Sequence, residues 1–136
     1  MGQRIAHITL VVTDYDEAIE FYTKNLNFNL LEDTKVDEEK RWVVIAPADA
    51  KECSLLLARA TNEIQRACIG NQTGGRVGFF LFTDNFWQDY RKMLDKGVSF
   101  ISTPKEEPYG IVAVFADLYG NKWDLLEPRE KANRQP

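Results

Sequence analysis

Apolar runs rich in β-branched residues alternate with polar turns along the chain, and two helical patterns interrupt them. The run at residues 5–12 predicts a strand. Apolar residues then recur at i, i+3, i+4, i+7 and i+11 from Tyr15 to Leu26, which predicts an amphipathic helix. Further apolar runs predict strands at residues 28–32, 41–46 and 54–60. The first half is therefore expected to be β-α-β-β-β.

The same order returns about seventy residues later. A strand at residues 77–82 precedes a helical pattern at 86–96, which Gly97 is expected to end. Each helix also opens on the spacing of a capping box, with Asp14 three residues before Glu17 and Asn85 three before Gln88. Strands are predicted at 99–102, 112–116 and 122–126, the last two joined by a hairpin turn at 117–121. The chain thus contains one long internal duplication.

The duplication predicts an α+β protein made of two βαβββ modules within a single domain, residues 1–136. Module one spans 5–60, a connector with a short helix at 63–69 spans 61–75, and module two spans 76–127. The polar tail at 128–136 is expected to fray. Each small sheet buries one face on its helix. Two like halves with their other faces free predict a cavity between them, and hence a small-molecule site.

Composition narrows the function class. The chain is 44% hydrophobic and 28% charged, as ordinary globular proteins are. Its net charge of −4 argues against nucleic acid, which requires a basic surface. No apolar run is long enough for a membrane span and the first residues lack a signal-peptide pattern, so a cytoplasmic location is expected. Cys53 and Cys68 fit no metal or redox motif.

Strand alternation selects candidate site residues. In the first strand Ile8, Leu10 and Val12 form the set that packs under the helix. His7, Thr9 and Val11 then face the cavity. In the last strand Trp123 and Leu125 belong with the helix, so Asp124 faces the cavity too. A histidine and a carboxylate on one surface are either ligands for a divalent metal or an acid/base couple.

Two further interpretations stay open for the candidate residues. Trp42, Phe80, Phe82 and Tyr109 form either an aromatic box for a flat or cationic ligand or simply part of the core. Asp124 either belongs to the site or pairs with Lys122 or Arg41. His7 is interpreted as a hydrogen-bonded site residue rather than a metal ligand, because the chain has one histidine.

Two segments resemble the opening and closing motifs of the vicinal oxygen chelate superfamily. They are His-Ile-Thr-Leu-Val-Val-Thr-Asp at 7–14, followed by Glu-Phe-Tyr at 20–22, and Asp-Leu-Tyr-Gly-Asn-Lys-Trp-Asp-Leu at 117–125. The superfamily includes glyoxalase I, the fosfomycin- and bleomycin-resistance proteins and the extradiol dioxygenases. The resemblance covers about residues 5–127. It implies paired βαβββ modules in an incomplete barrel around a cavity, and commonly a homodimer.

The resemblance also implies where a metal would bind. Metal-dependent members carry one ligand on the first and fourth strand of each module. His7 and Asp124 match two of these positions, whereas Ser54 or Leu56 and Gly78 stand at the other two. A firmly held catalytic metal needs about three protein ligands. No cofactor is therefore expected, and a metal, if present, would use His7 and Asp124.

The sequence is compatible with two functions. The first is metal-independent binding of a small molecule in the inter-module cavity, as in bleomycin-resistance proteins. The alternative is an enzyme, a metal-dependent lyase or dioxygenase of the glyoxalase I type that uses His7, Asp124 and a further ligand, Glu52 or a residue of a dimer partner. The expected partners are a small-molecule ligand and a second copy of the chain. The predicted pocket residues are His7, Thr9, Trp42, Ser54, Leu56, Gly78, Phe80, Phe82, Tyr109 and Asp124.

Overall fold

A computed structural model describes residues 2–129, which contain two β-sheets and a few short helices. Residues up to Gln72 form one compact unit, and residues from Thr73 onward form a second. The predicted α+β class is confirmed. No helix between residues 2 and 129 has both the length and the apolar character needed to cross a membrane.

The first unit is a four-stranded sheet with a helix on one face. Its strands stand in the order β1-β4-β3-β2, with β1 parallel to β4 and the other pairs antiparallel. The helix α1 continues directly as one π-helical segment, Phe21–Asn25. The elements are β1 (His7–Val12), α1 (Tyr15–Glu20), β2 (Phe28–Lys35), β3 (Arg41–Pro47), β4 (Ser54–Arg59) and α2 (Glu63–Cys68).

The start of α1 follows the predicted capping pattern. The Asp14 carboxylate accepts a hydrogen bond of 2.9 Å from the backbone N–H of Glu17, which satisfies one of the free donors of the first turn. The predicted helix face is buried, since Ala18 and Tyr22 are fully inaccessible to solvent. On the sheet, burial begins at Leu10. Ile8, predicted to pack with it, is instead 49% exposed.

The second unit repeats the strand order of the first. Its sheet runs β5-β9-β8-β6, with β7 also paired to β8, and β5 is parallel to β9. In both units the spatial order of the strands is therefore first, last, third and second, with β6 and β7 together in the second place of the second unit. The elements are β5 (Val77–Phe82), α3 (Phe86–Asp95), β6 (Ser99–Phe100), β7 (Lys105–Glu107), β8 (Gly110–Ala116) and β9 (Lys122–Pro128).

The second unit departs from the prediction in its second strand. The strand predicted at 99–102 ends at Phe100, and pairing with β8 resumes only at Lys105. Between them the N–H groups of Ile101 and Ser102 both donate to the carbonyl of Val114, so the ladder is irregular there. Pro104 has no N–H with which to restore it. The charged strand β7 has no apolar pattern and was not predicted.

The helix α3 is anchored at its first turn from two directions. The Asn85 side chain accepts from the N–H of Gln88 at 3.3 Å, as predicted. The Glu127 carboxylate in β9 accepts from the N–H of Phe86 at 2.7 Å. These bonds hold the helix against the sheet face that carries Phe115 and Trp123. Trp87, in the first turn of α3, is 45% exposed.

Strand β9 is longer than predicted. It runs through Pro128, the first residue of the polar tail that was expected to fray. Arg129 continues the contact, because its backbone N–H donates to the carbonyl of Tyr109 at 3.0 Å. The remainder of that tail, residues 130–136, lies outside the described residues.

Candidate functional site

The first unit brings several predicted site residues onto the sheet face that α1 does not cover. His7 pairs with Ser54 and Thr9 pairs with Leu56, so all four side chains share one face. Leu56 also pairs with Val44 on β3, and Trp42 lies two residues before Val44 on the same face. We call this set the first-unit face.

A hydrogen bond joins His7 and Ser54 on this face. His7 Nδ1 lies 3.0 Å from Ser54 Oγ, and the same hydroxyl donates to the carbonyl of Ala6 at 3.2 Å. Which of the two atoms donates in the bond between His7 and Ser54 depends on the tautomer of the imidazole. Trp42 meets the imidazole edge to face at 5.9 Å between ring centroids. The exposed histidine is thus oriented by two neighbours.

The connector supplies a residue that the sequence did not mark. Gln72 lies along β1, which is an edge strand of its sheet. Its amide donates to the carbonyl of Thr9 at 2.6 Å and accepts from the N–H of Val11 at 2.9 Å. One side chain therefore satisfies two edge groups that a neighbouring strand would otherwise use. A glutamine in a glycine-rich loop carries no pattern that would predict this contact.

The second unit places aromatic rings beside the predicted carboxylate. Phe80 pairs with Asp124 and Phe82 pairs with Leu126, so these side chains share the sheet face opposite α3. Both phenylalanines are 60% exposed. Tyr109, in the turn between β7 and β8, is 49% exposed. We call Phe80, Phe82, Tyr109 and Asp124 the second-unit face.

Asp124 has no hydrogen bond or ion pair with any described residue of the second unit. Its two suggested partners are engaged elsewhere. Lys122 donates to the carbonyl of Gly75 at 3.0 Å, and Arg41 binds Asp33 at 2.7 Å and Asp16 at 2.9 Å. The alternative that Asp124 pairs with Lys122 is therefore not seen among the described residues of the second unit. A lysine ammonium reaches the nearby carbonyl instead, and two carboxylates already surround the guanidinium.

Burial acts on the two titratable groups of the second-unit face. Desolvation raises the pKa of Asp124 above its usual range, because a partly buried carboxylate loses the water that stabilises its charge. The pKa of Tyr109 is also raised, first by desolvation and then by the negative charges of Glu107 and Asp124. Tyr109 is therefore a neutral phenol at pH 7, able to donate and to accept a hydrogen bond.

Gly78 lies at an irregularity in β5, where pairing with β9 shifts register between Val77 and Phe79. A Cβ at this position would lie 2.5 Å from the methyl group of Thr73. A larger residue would therefore require Thr73 to move. The glycine contributes space and not chemistry to the second-unit face.

The donor chemistry of these residues does not fit a catalytic metal. Within residues 2–129, no three His, Cys, Asp or Glu side chains are grouped so that they could hold an ion. On the first-unit face the group bonded to His7 is a serine hydroxyl, and Thr9 and Leu56 lie alongside. On the second-unit face the neighbours of Asp124 in register are Phe80 and Val114. Among the described residues, neither His7 nor Asp124 therefore has a second strong donor beside it in strand register.

The chain belongs to the Glyoxalase/Bleomycin resistance protein/Dioxygenase superfamily, whose family model matches residues 4–125. The predicted resemblance is confirmed. An uncharacterized protein of Shewanella frigidimarina is 55% identical over 132 residues, which is 96% of this chain and 98% of that protein.

Two crystal structures show the same fold at higher sequence divergence. UcmS2 is 30% identical with a TM-score of 0.81, and the match covers 93% of this chain and 99% of UcmS2. TnmS3, an antibiotic binding protein from Streptomyces sp. CB03234, is 28% identical with a TM-score of 0.75. That match covers 93% of this chain and 97% of TnmS3.

Replacing Asp124 by asparagine is expected to raise the melting temperature at pH 7. The folded-state pKa of Asp124 lies above the unfolded value, so folding favours the protonated form. Asp124 therefore contributes stability that is fully present below its unfolded pKa and is lost as pH rises through its folded pKa. The advantage of Asp124→Asn should accordingly shrink towards pH 3, as melts across pH 3–8 would show. The exposed Asp95→Asn is the control, and a variant that melts below the wild type at pH 7 would contradict the argument.

Proposed function

We propose that the chain binds a small organic molecule on the exposed faces of its sheets without using a metal. The observation that carries this proposal is the second-unit face, where two exposed phenyl rings on β5 lie beside a carboxylate that has no partner among the described residues of its unit. Exposed aromatic rings on neighbouring positions leave apolar area in contact with water, and a stacked ligand would remove it. A few polar groups among aromatic side chains are typical of ligand sites.

The structural relatives support this assignment. TnmS3 is described as an antibiotic binding protein, and its fold matches nearly the whole of this chain. A protein that only sequesters its ligand needs stacking surfaces and hydrogen-bonding groups, and it needs no set of metal ligands. The first-unit face adds such groups, since the His7 imidazole and the Trp42 ring lie in contact there. We propose Trp42 and Tyr109 as ligand contacts on the two faces.

Metal independence is part of the proposal and rests on donor chemistry. A lyase or dioxygenase of the glyoxalase I type would hold its metal through about three protein ligands. The register neighbours of His7 and of Asp124 are a serine hydroxyl and two apolar side chains, respectively. The alternative function therefore lacks a supporting observation. The homodimer implied by the family resemblance stays a prediction.

Thermal melts test ligand and metal together. Acridine, a flat aromatic probe, is expected to raise the melting temperature of the wild type, and Trp42→Ala or Tyr109→Ala to weaken that rise more than His7→Ala. Zinc, nickel and manganese salts are expected to change it little, whereas firm metal binding at a hundredfold excess would add about 2.7 kcal/mol.

The control is the melting temperature of each variant without a probe, which separates lost binding from lost stability. One equivalent of bound metal in the purified protein, lost on His7→Ala, would overturn the binding assignment and restore the enzyme.

A further inference from the structure

No described side chain of the second unit forms an ion pair with the Asp124 carboxylate. Lys122 lies two residues before Asp124 on β9 and so shares its face, but its ammonium donates to the carbonyl of Gly75. Lys105 also lies on this face, but it pairs with Val112. The β8 residue that pairs with Asp124 is Val114. An ionised carboxylate that is partly desolvated and lacks a local partner attracts a cation from outside the chain.

Aromatic rings surround the position that such a cation would occupy. Phe80 is the register neighbour of Asp124 on β5, so the two side chains stand about 5 Å apart at their Cβ atoms. Phe82 follows on the same face. The faces of aromatic rings carry negative charge density and favour a positive group held against them. The phenol of Tyr109 adds a neutral hydrogen-bonding group close enough to feel the charge of Asp124.

We propose that Asp124 anchors a protonated amine or a related nitrogen cation of the ligand, while Phe80 and Phe82 stack on the ring system that carries it. The inference rests on the proposed function and names the chemical class of its ligand, a flat aromatic molecule with a positive charge. Neutral molecules with the same rings stack but gain no ion pair, and anionic ones are repelled. Asp124 contacts the ligand directly in this arrangement.

Matched acridines test the charge requirement. At pH 7, 9-aminoacridine is a cation and acridine is largely neutral, with nearly the same ring size. Binding to the full chain is followed by the fluorescence of each probe. The wild type is expected to bind 9-aminoacridine about tenfold or more tightly than acridine, the factor that one charge-assisted hydrogen bond supplies. Asp124→Asn should abolish that preference by weakening 9-aminoacridine alone. Asp95→Asn, which removes the same charge from an exposed position on α3, should leave both affinities unchanged.

The outcomes separate this inference from the function on which it rests. Equal affinities for the two probes, both reduced by Phe82→Ala, would overturn the role of Asp124 and leave small-molecule binding intact. An Asp124→Asn variant that binds both probes equally more weakly would also overturn the role of Asp124 as an anchor. The carboxylate would then maintain the shape of the second-unit face and would not bind the positive charge of the probe. Failure of both probes to bind the wild type would remove the inference and the proposed function together.

Discussion

Replacing Phe115 by alanine is expected to lower the free energy of unfolding by about 3–5 kcal/mol. The ring is fully buried and lies between two others, 5.6 Å from the centroid of Phe100 and 5.8 Å from that of Trp123. Truncation would leave a cavity between α3 and β8, and the surrounding rings cannot close it completely. Urea unfolding followed by tryptophan fluorescence measures the loss.

Phe82→Ala provides the matched control, because the same change is made at a ring that is 60% exposed. It is expected to cost less than about 1 kcal/mol. A Phe115→Ala variant within 1 kcal/mol of the wild type would show that the ring stack does not hold the second unit together.

Gly110→Ala is expected to cost about 2–4 kcal/mol. Gly110 opens β8 at a φ of 149°, a conformation that residues with a side chain rarely adopt. An added Cβ would also lie 2.2 Å from the carbonyl oxygen of Glu127 and 3.0 Å from the Cα of Pro128. Both contacts are with backbone and cannot be relieved by a rotamer change, so the pairing of β8 with β9 must open. Thermal or urea unfolding checks the value.

Gly97→Ala separates the two causes of that loss. Gly97 also has a positive φ, 85°, but an added Cβ there would meet no atom within 4 Å. The expected loss in free energy of unfolding for Gly97→Ala is therefore only the cost of the positive φ, about 1 kcal/mol. Equal losses for the two variants would mean that the clash with Glu127 is relaxed. Because Tyr109 directly precedes Gly110, only Gly110→Ala should also reduce the effect of acridine on the melting temperature.

Local chemistry explains why the elements could be predicted. The N-caps at Asp14 and Asn85 depend on neighbouring residues, and the structure confirms them. The apolar helix faces are confirmed at Ala18, Phe86 and Met93, which are buried, but not at Leu94, which is 46% exposed. Strand β5 begins and ends where the apolar run does. The prediction failed where non-local pairing decides, as at β7. That segment is charged and forms a strand only because β8 lies beside it.

The sequence also determined which side chains share a face, because alternation along a strand is a property of the backbone. It placed His7 with Thr9 and grouped Asp124 apart from Trp123, as the strand registers show. It could not determine partners across strands. The bond between His7 and Ser54 joins residues 47 positions apart and requires β1 to lie beside β4.

Only the tertiary structure decided which charges remain free. By sequence, Asp124 had Lys122 and Arg41 as plausible partners. In the structure Lys122 donates to the carbonyl of Gly75, and Arg41 forms ion pairs with Asp33 and Asp16. The Asp124 carboxylate is partly buried beside Phe80. Ion pairing depends on a few ångströms of distance, which chain separation does not specify. The sequence alone thus predicted the fold and the aromatic and acidic residues of the second-unit face, whereas the lack of a partner for Asp124 among the described residues of its unit depends on tertiary structure.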